Sequence, residues 1–274
     1  MEAQSSYLQV GSNHWHILTM GEGPKYCIAF HGFGDSAESY RLLLPSMGQD
    51  FTIIAIDLPF HGKTQWNADS YSDWDLIELV NILLVEREIE RFFLMGHSMG
   101  GRITLQLLAT FMYKLNGIFL LAPDGLHTRK LDQLLFWPVG LQNLVIRLLQ
   151  NPRWLLWLAR RLHKLGVLGK FNYRFVEHNL RSATRRERLF GTWVSLRSFK
   201  PRVIEIQREL RSIYLPVIVI FGSKDKVIAA DRIIRKVRML PNVQIHILSS
   251  GHRVFGQRLN NLLGYILEVM QDRL

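Results

Sequence analysis

The chain has 274 residues, of which 48% are hydrophobic and 21% are charged, and this balance favours a soluble globular protein with a large core. Its single cysteine, Cys27, excludes an internal disulfide and fits a reducing compartment. The N-terminal residues lack the pattern of a secretory signal, and the longest uncharged, mostly apolar stretch, 134–146, is too short to cross a membrane. We therefore expect a cytoplasmic protein.

The net charge of +11 is concentrated in one segment of the chain. Residues 125–211 contain 18 Lys and Arg against 5 Asp and Glu, a net charge of +13, which leaves −2 for the rest. This asymmetry indicates a domain boundary and an anionic partner, such as an acidic or lipid-like substrate or an anionic membrane surface. The sequence contains no recognition motif for nucleic acid, so we expect no nucleic-acid partner.

In chain order, short apolar runs alternate with segments of helical spacing on both sides of the basic segment. The apolar runs predict strands at 7–10, 14–20, 26–30, 51–56, 91–95, 118–121, 215–221 and 243–248. The segments of helical spacing predict helices at 37–47, 72–88, 101–113, 229–240 and 255–270. This alternation is typical of a mostly parallel sheet with helices on both faces, a doubly wound α/β fold.

The basic segment contains no convincing strand, and we predict that it is helical, with breaks at Pro138, Gly140, Pro152, Gly166 and Gly169. Within it, residues 153–165 have the pattern of an amphipathic helix. We expect one face to carry Trp154, Trp157, Leu158 and Leu165 and the opposite face Arg153, Arg160, Arg161 and Lys164. Such a helix either lies on an anionic membrane surface or admits acyl chains, or it packs its apolar face on the core and leaves a solvated basic face.

The residues Gly96-His97-Ser98-Met99-Gly100 lie between a predicted buried strand and a predicted helix. A strand, a tight glycine-flanked turn with Ser at its apex and a helix together describe the nucleophile elbow. The turn directs the Ser oxygen into a cleft, and the N-terminal N–H groups of the helix point at an oxyanion formed beside it. Ser98 is therefore the candidate nucleophile, and we expect His97 to line the cleft.

A nucleophilic Ser requires a base and a third group that orients the base. In doubly wound sheets such groups collect at the carboxyl ends of strands, where Asp225 and His252 follow the last two predicted strands. Their order after Ser98 is the order that the elbow motif predicts. Asp124 also follows a predicted strand and remains an alternative for the acid.

The oxyanion requires two backbone N–H donors, and one belongs to Met99, directly after the candidate nucleophile. The second is expected in the loop after the third strand, where Phe33 lies between Gly32 and Gly34, and those glycines allow close approach of a substrate. We expect structural roles for His31 in this loop and for His61. No cluster of His, Cys, Asp or Glu has metal-ligand spacing, so no metal is expected.

These motifs, in this order, resemble the α/β-hydrolase superfamily. The resemblance covers residue 7 to the C-terminus and implies an eight-stranded core formed by residues 1–124 and 212–274, with residues 125–211 as an inserted helical cap. It implies no cofactor and an acyl-enzyme on Ser98, hence a serine hydrolase of a carboxylic ester or thioester with an apolar part. A C–C bond hydrolase or a synthase-like lyase of the menaquinone pathway is the alternative, and a non-catalytic lipid- or partner-binding module is an alternative of another class.

Overall fold

The computed structural model describes residues 2–126, 152–199, 203–212, 215–238, 240 and 242–270. Its sheet has eight strands, which agree with the predicted apolar runs to within about three residues at most ends. They are β1 Gln4–Val10, β2 Asn13–Met20, β3 Lys25–Phe30, β4 Phe51–Ile56, β5 Phe92–His97, β6 Leu115–Leu121, β7 Val217–Gly222 and β8 Val243–Leu248.

The strands are arranged in the order β1-β2-β4-β3-β5-β6-β7-β8. Strands β3 to β8 are mutually parallel, while β1 and β2 pair antiparallel at one edge. After β3 the chain places β4 on one side of it, then crosses to the other side, where β5, β6, β7 and β8 follow in order. The carboxyl ends of β3 and β5 therefore lie at a topological switch point, which is where ligands bind in open α/β sheets.

The helices of the described residues also follow the predicted spacing. They are α1 Leu44–Met47, α2 Asp73–Glu86, α3 Met99–Phe111, α4 Pro152–Lys164, α5 Lys170–Arg181, α6 Ala183–Ser195, α7 Val203–Ser212, α8 Ala230–Val237 and α9 Gln257–Met270. A 3₁₀ helix at Ala37–Leu43 precedes α1 within the predicted helix 37–47. A capping box opens α2, and in it the Ser72 N–H and O–H both donate to Asp75 Oδ2 at 2.7 Å.

The core contains aromatic side chains from the central strands. Phe51 of β4 makes edge contacts with Phe93 of β5 and Phe119 of β6, with ring centroids 5.1 Å and 6.1 Å apart. All three rings are buried, and β5 is buried along its whole length. Such a continuous apolar run is characteristic of a parallel strand covered on both faces, and it holds the start of α3 in a rigid position.

The chain divides into two compact units. The first consists of Met1–Ala68, Ser72–His127 and Ser198–Leu274, and the second of Asp69–Tyr71 and Thr128–Arg197. The predicted cap boundaries of 125 and 211 differ from this division mainly at the C-terminal end, because α7 belongs to the first unit. In the second unit, the Tyr71 N–H donates to Ser195 Oγ at 2.9 Å, which joins the short segment 69–71 to α6.

Helix α4 of the second unit corrects one sequence interpretation. Trp157 is 59% exposed and Trp154 is 38% exposed, whereas Ala159 is buried. The prediction that Trp157 faces away from the basic side chains is wrong, because the Arg161 guanidinium lies 5.2 Å from the centre of its ring and Arg153 and Arg161 are each four residues from it. Residues at that spacing are neighbours on one helical face. The predicted breaks at Pro138 and Gly140 lie outside the described residues.

Candidate active site

The elbow at the end of β5 has a strained backbone at Ser98. Ser98 has φ 52° and ψ −113°, a conformation that L-residues rarely adopt, and α3 begins at the next residue. The turn is held on both sides, since the Ser98 N–H donates to the Leu121 carbonyl and the Ser98 carbonyl accepts from the N–H groups of Gly101 and Asp124, all at 2.9 Å. The Ser98 side chain is therefore presented by rigid backbone.

Two glycines allow the elbow to approach its neighbours. A Cβ on Gly100 would lie 1.8 Å from the Phe30 carbonyl oxygen of β3. A Cβ on Gly96 would lie 2.3 Å from the carbonyl oxygen of Gly100. Because both distances are far below van der Waals contact and involve backbone atoms, any side chain at these positions forces α3 away from the sheet. The glycines of the motif thus serve the packing of the turn.

The structure brings together Ser98, His252 and Asp225, although they are distant in sequence. Ser98 Oγ lies 2.8 Å from His252 Nε2, and His252 Nδ1 lies 2.7 Å from Asp225 Oδ2. These distances fit a tautomer in which the Ser hydroxyl donates to Nε2 and the ring donates through Nδ1 to the carboxylate. The Asp225 side chain is 1% exposed and that of His252 is 24% exposed, so the histidine lies between a buried anion and the open side.

The environment of Asp225 keeps its carboxylate ionised. Burial raises its pKa, but hydrogen bonds from His252 and from the N–H groups of Ile228 and Val227 outweigh burial and lower the pKa below its usual value. The two backbone N–H groups both donate to Oδ1, at 2.7 Å from Val227 and 3.0 Å from Ile228. Oδ2 is thereby left directed at the histidine.

The loop after β3 forms one wall of a pocket of about 210 Å³. The pocket is lined by Gly32, Phe33, Gly34, Asp35, His97, Ser98, His252 and Arg253. Gly34 has φ +75°, a left-handed conformation that favours glycine, so the loop turns sharply beside the pocket. Met99 is the first residue of α3, and the N–H groups of a helix's first turn have no intrahelical acceptor.

His31 and His61 hold the loop beneath this wall. The His31 ring donates through Nδ1 to the Gly32 carbonyl at 2.7 Å and accepts at Nε2 from the Leu58 N–H at 3.0 Å. The His61 ring packs against both His31 and Phe33, with centroids 5.1 Å and 5.6 Å apart. The structural roles expected of both histidines agree with these contacts.

His97 connects the elbow to the loop that carries His252. Its Nε2–H donates to the main-chain carbonyl of His252 at 3.2 Å, and its ring packs 5.1 Å from that of Phe255. Its Nδ1 is buried without a hydrogen-bond partner among the described residues. Burial is the main cause that lowers the pKa of His97 to about 4, so this ring is neutral at ordinary pH.

Asp124, the alternative acid, forms a different contact. Its carboxylate accepts from the Arg102 guanidinium at 3.0 Å, and Arg102 is itself buried within α3. The structure therefore joins His252 to Asp225 and gives Asp124 a cationic partner. Sequence reasoning missed Arg102, whose charge in an otherwise apolar helix face was the available signal, and it missed Arg253, which follows His252 directly and lines the pocket.

Within the described ranges, no three His, Cys, Asp or Glu side chains are grouped closely enough to hold a metal ion. Among the residues that the structure describes, no helix combines the length and apolar character needed to span a bilayer. The contact between the Ser98 hydroxyl and the His252 ring supports nucleophilic and acid–base chemistry in the pocket.

Comparisons with known proteins identify the family of the chain. An uncharacterized hydrolase of Bacillus subtilis is 25% identical over 260 residues, which cover 90% of each chain. A pimeloyl-[acyl-carrier protein] methyl ester esterase of Edwardsiella ictaluri is 26% identical over 124 residues, 45% of this chain and 44% of the esterase. Among solved structures, a serine hydrolase of Cycloclasticus zankles superposes with a TM-score of 0.67 at 21% identity, over 99% of this chain and all of the other. The profile of the alpha/beta hydrolase fold family matches residues 28–258, so the chain belongs to that family and is a hydrolase.

Proposed function

We propose that the chain is a serine hydrolase that cleaves a carboxylic ester or thioester through an acyl-enzyme on Ser98. The observation that carries the proposal is the continuous hydrogen-bond path from Ser98 Oγ through His252 to Asp225, with distances of 2.8 Å and 2.7 Å. Nucleophile, base and orienting acid each have the partner that a triad mechanism requires.

In the first half-reaction, Ser98 Oγ attacks the substrate carbonyl carbon as its proton passes to His252 Nε2. The resulting oxyanion accepts hydrogen bonds from the backbone N–H groups of Met99 and Phe33. When the tetrahedral intermediate collapses, the carbonyl re-forms, the bond to the leaving alcohol or thiol breaks, and His252 returns the proton to the leaving group. Water then attacks the acyl-enzyme by the same steps and releases the acid and free Ser98.

Asp225 acts through the histidine in this mechanism. During each proton transfer His252 becomes an imidazolium, and an ionised carboxylate 2.7 Å from Nδ1 stabilises that charge. The lowered pKa of Asp225 supports this role, because the carboxylate remains charged throughout the pH range in which a neutral histidine acts as base. The backbone donors Val227 and Ile228 position the carboxylate independently of the ring.

Phe33 in the pocket lining supports a substrate with an apolar part. The described part of the pocket has a volume of about 210 Å³ and lies directly beside Ser98, where the reacting group would bind. The esterase from Edwardsiella ictaluri, which matches part of this chain, supports an ester. A C–C bond hydrolase or a synthase-like lyase remains the alternative reaction on the same residues.

A fluorophosphonate probe tests the proposed nucleophile. We expect covalent labelling at Ser98, located by tandem mass spectrometry, and no labelling of Ser98→Ala. A series of p-nitrophenyl esters and thioesters of increasing acyl length should then show turnover with an optimum length. Labelling without turnover of any ester or thioester would favour the C–C alternative, and absence of labelling at Ser98 in folded protein would favour a non-catalytic binding module.

We further propose an anionic partner for this enzyme, either an acidic substrate or an anionic lipid surface. The split between +13 in residues 125–211 and −2 elsewhere supports it, because exposed charges contribute little to folding stability. A basic surface attracts anions within roughly 10 Å at 0.1 M salt. We expect kcat/KM for an acidic ester to fall as salt rises while that of a neutral analogue of similar size stays constant. If kcat/KM depends equally on salt for the two esters, the positive charge of residues 125–211 has no role in substrate encounter.

A further inference from the structure

Helix α4 exposes tryptophan on the same face as its basic side chains. Trp157 is 59% exposed and Trp154 is 38% exposed, and the turn after the helix exposes Leu165 and Val167, both at 73%. The helix has another apolar stripe, centred on buried Ala159, for packing within its own unit. The exposed tryptophan rings therefore do not belong to the face by which α4 packs.

Four exposed basic side chains lie on α4 beside these rings. Arg153, Arg160, Arg161 and Lys164 are exposed on α4, and the Arg161 guanidinium lies 5.2 Å from the centre of the Trp157 ring. The sequence has no acidic residue between Asp132 and Glu177. These four basic residues together with Trp154, Trp157, Leu165 and Val167 are named here the α4 outer surface.

We propose that the α4 outer surface docks on an anionic phospholipid membrane. Tryptophan rings reside at the headgroup level of a bilayer, and Arg and Lys bind lipid phosphates while their aliphatic stems lie along apolar material. The α4 outer surface carries exposed side chains of both kinds. The guanidinium stacked on Trp157 fits this location, since it keeps its charge beside the ring that enters the interface.

Other occupants fit the same surface less well. A second copy of the chain would bring two strongly basic surfaces together, which like-charge repulsion opposes. A nucleic acid or an acidic protein would pair with the four basic residues, but neither accounts for the exposure of Leu165 and Val167 at the end of the helix. An anionic lipid surface satisfies the positive charge and the apolar side chains at once.

The inference deepens the anionic partner proposed above and does not depend on catalysis. It is tested by co-sedimentation of the full chain with phosphatidylcholine vesicles, with and without about a third phosphatidylglycerol. We expect binding only to the anionic vesicles, at about 0.1 M salt, and equal binding by Ser98→Ala. If Ser98→Ala binds vesicles but no ester is cleaved by the wild type, the hydrolase proposal fails and the membrane proposal stands.

Matched variants separate the two components of the surface. The double change Arg160→Gln and Lys164→Gln should lower the partition coefficient roughly 25-fold, about fivefold for each charge. The control is Arg235→Gln with Lys236→Gln, which removes the same charge from exposed positions of α8 in the first unit. It should change binding less than about threefold.

The tryptophan variant is Trp157→Ser, which should lower anionic-vesicle binding roughly tenfold, as expected for an aromatic ring that leaves water. Its control is Trp74→Ser, which removes an even more exposed tryptophan, 75% exposed, from between Asp73 and Asp75. All these side chains are exposed, and equal thermal midpoints should confirm that the variants fold. The proposal is overturned if the wild type does not bind anionic vesicles, or if Trp157→Ser behaves like Trp74→Ser.

Discussion

The first unit contains two hydrogen-bonded Ser–His–Asp arrangements with the same distances and different surroundings. In each, a serine Oγ lies 2.8 Å from a histidine Nε2, and the histidine Nδ1 lies 2.7 Å from an aspartate Oδ2. We call them the Ser98 triad and the Ser5 triad; they are Ser98–His252–Asp225 and Ser5–His16–Asp57.

The two triads differ in the backbone that carries the serine. Ser98 lies on a strained turn at the start of α3 and lines a pocket, and the N–H groups of that first helical turn are the oxyanion donors proposed above. Ser5 lies inside β1, an extended edge strand, and backbone N–H groups of a strand lie in the plane of the sheet, across the direction of the side chains. An oxyanion at Ser5 would therefore receive no backbone donors from its own strand.

Asp57 and Asp225 also differ in the segments of the chain to which they are hydrogen-bonded. The Asp57 carboxylate accepts from the His16 ring and from the N–H groups of Ala37 and Lys63, at 2.7 to 2.8 Å. It thereby connects β2, the 3₁₀ helix after β3 and the loop after β4. Asp225 instead receives its backbone hydrogen bonds from residues two and three positions further along the chain. The same side-chain geometry thus serves a structural junction in one place and a candidate reaction site in the other.

The largest expected effect distinguishes the two serines. Ser98→Ala should lower kcat for p-nitrophenyl ester hydrolysis by roughly 10⁴ or more, as for loss of a triad nucleophile. Ser5→Ala should leave kcat within about twofold, because Ser5 lacks the oxyanion donors. Retention of a tenth of the activity by pure Ser98→Ala, or a comparable loss in Ser5→Ala, would remove the distinction.

The Asp225 and Asp57 variants should show different defects, one in turnover and the other in stability. Asp225→Asn should lower kcat by roughly 10⁴, because an amide favours the wrong histidine tautomer. Asp57→Asn should lower kcat less than about tenfold but reduce the free energy of unfolding by about 2 to 4 kcal/mol, since a buried amide leaves donors of this junction unpaired. Kinetics and urea unfolding measured on both variants provide the comparison.

Asp124→Asn belongs in the same experiment as a control for the choice of acid. Its carboxylate pairs with Arg102 at 3.0 Å, so the change should affect stability more than turnover. If Asp124→Asn is inactive and Asp225→Asn is active, Asp124 is the catalytic acid.

A smaller effect concerns pH and His97, which links the elbow to the His252 loop. Its pKa is about 4 when folded and about 6.5 when unfolded, so below pH 6.5 the unfolded state binds the proton first. The contribution of neutral His97 to the free energy of unfolding is fully present above pH 6.5 and declines as the pH falls toward 4. Between about pH 7 and 4.5 the wild type should lose roughly 2.5 kcal/mol more than His97→Gln.

Urea unfolding at the two pH values measures this difference, and the other histidines cancel because both proteins contain them. Asp225 does not contribute in this window: its pKa is lowered, so its stabilising charge is lost only as pH falls below the ordinary aspartate range. Equal losses in the wild type and in His97→Gln would mean that the His97 ring is accessible to protons in the folded state.

The sequence by itself determined the sheet and the elbow, because both depend on local patterns. The continuous apolar run of β5, the glycines at 96 and 100 and the helical spacing after Ser98 are contiguous, and each has a direct steric or solvation meaning. The strand ends also pointed to Asp225 and His252 as candidates, since the ends of parallel strands meet at one edge of the sheet.

Only the tertiary structure decided which acid contacts His252, because Asp124 and Asp225 both follow strands and differ only in the partner that folding brings near. Arg102 lies on α3 and neutralises one of them. The faces of α4 were also decided there, since helical spacing shows which residues are neighbours and not which stripe is buried. The Ser5 triad has no sequence signature, because its three residues come from β1, β2 and the end of β4 and meet only when the antiparallel edge of the sheet forms.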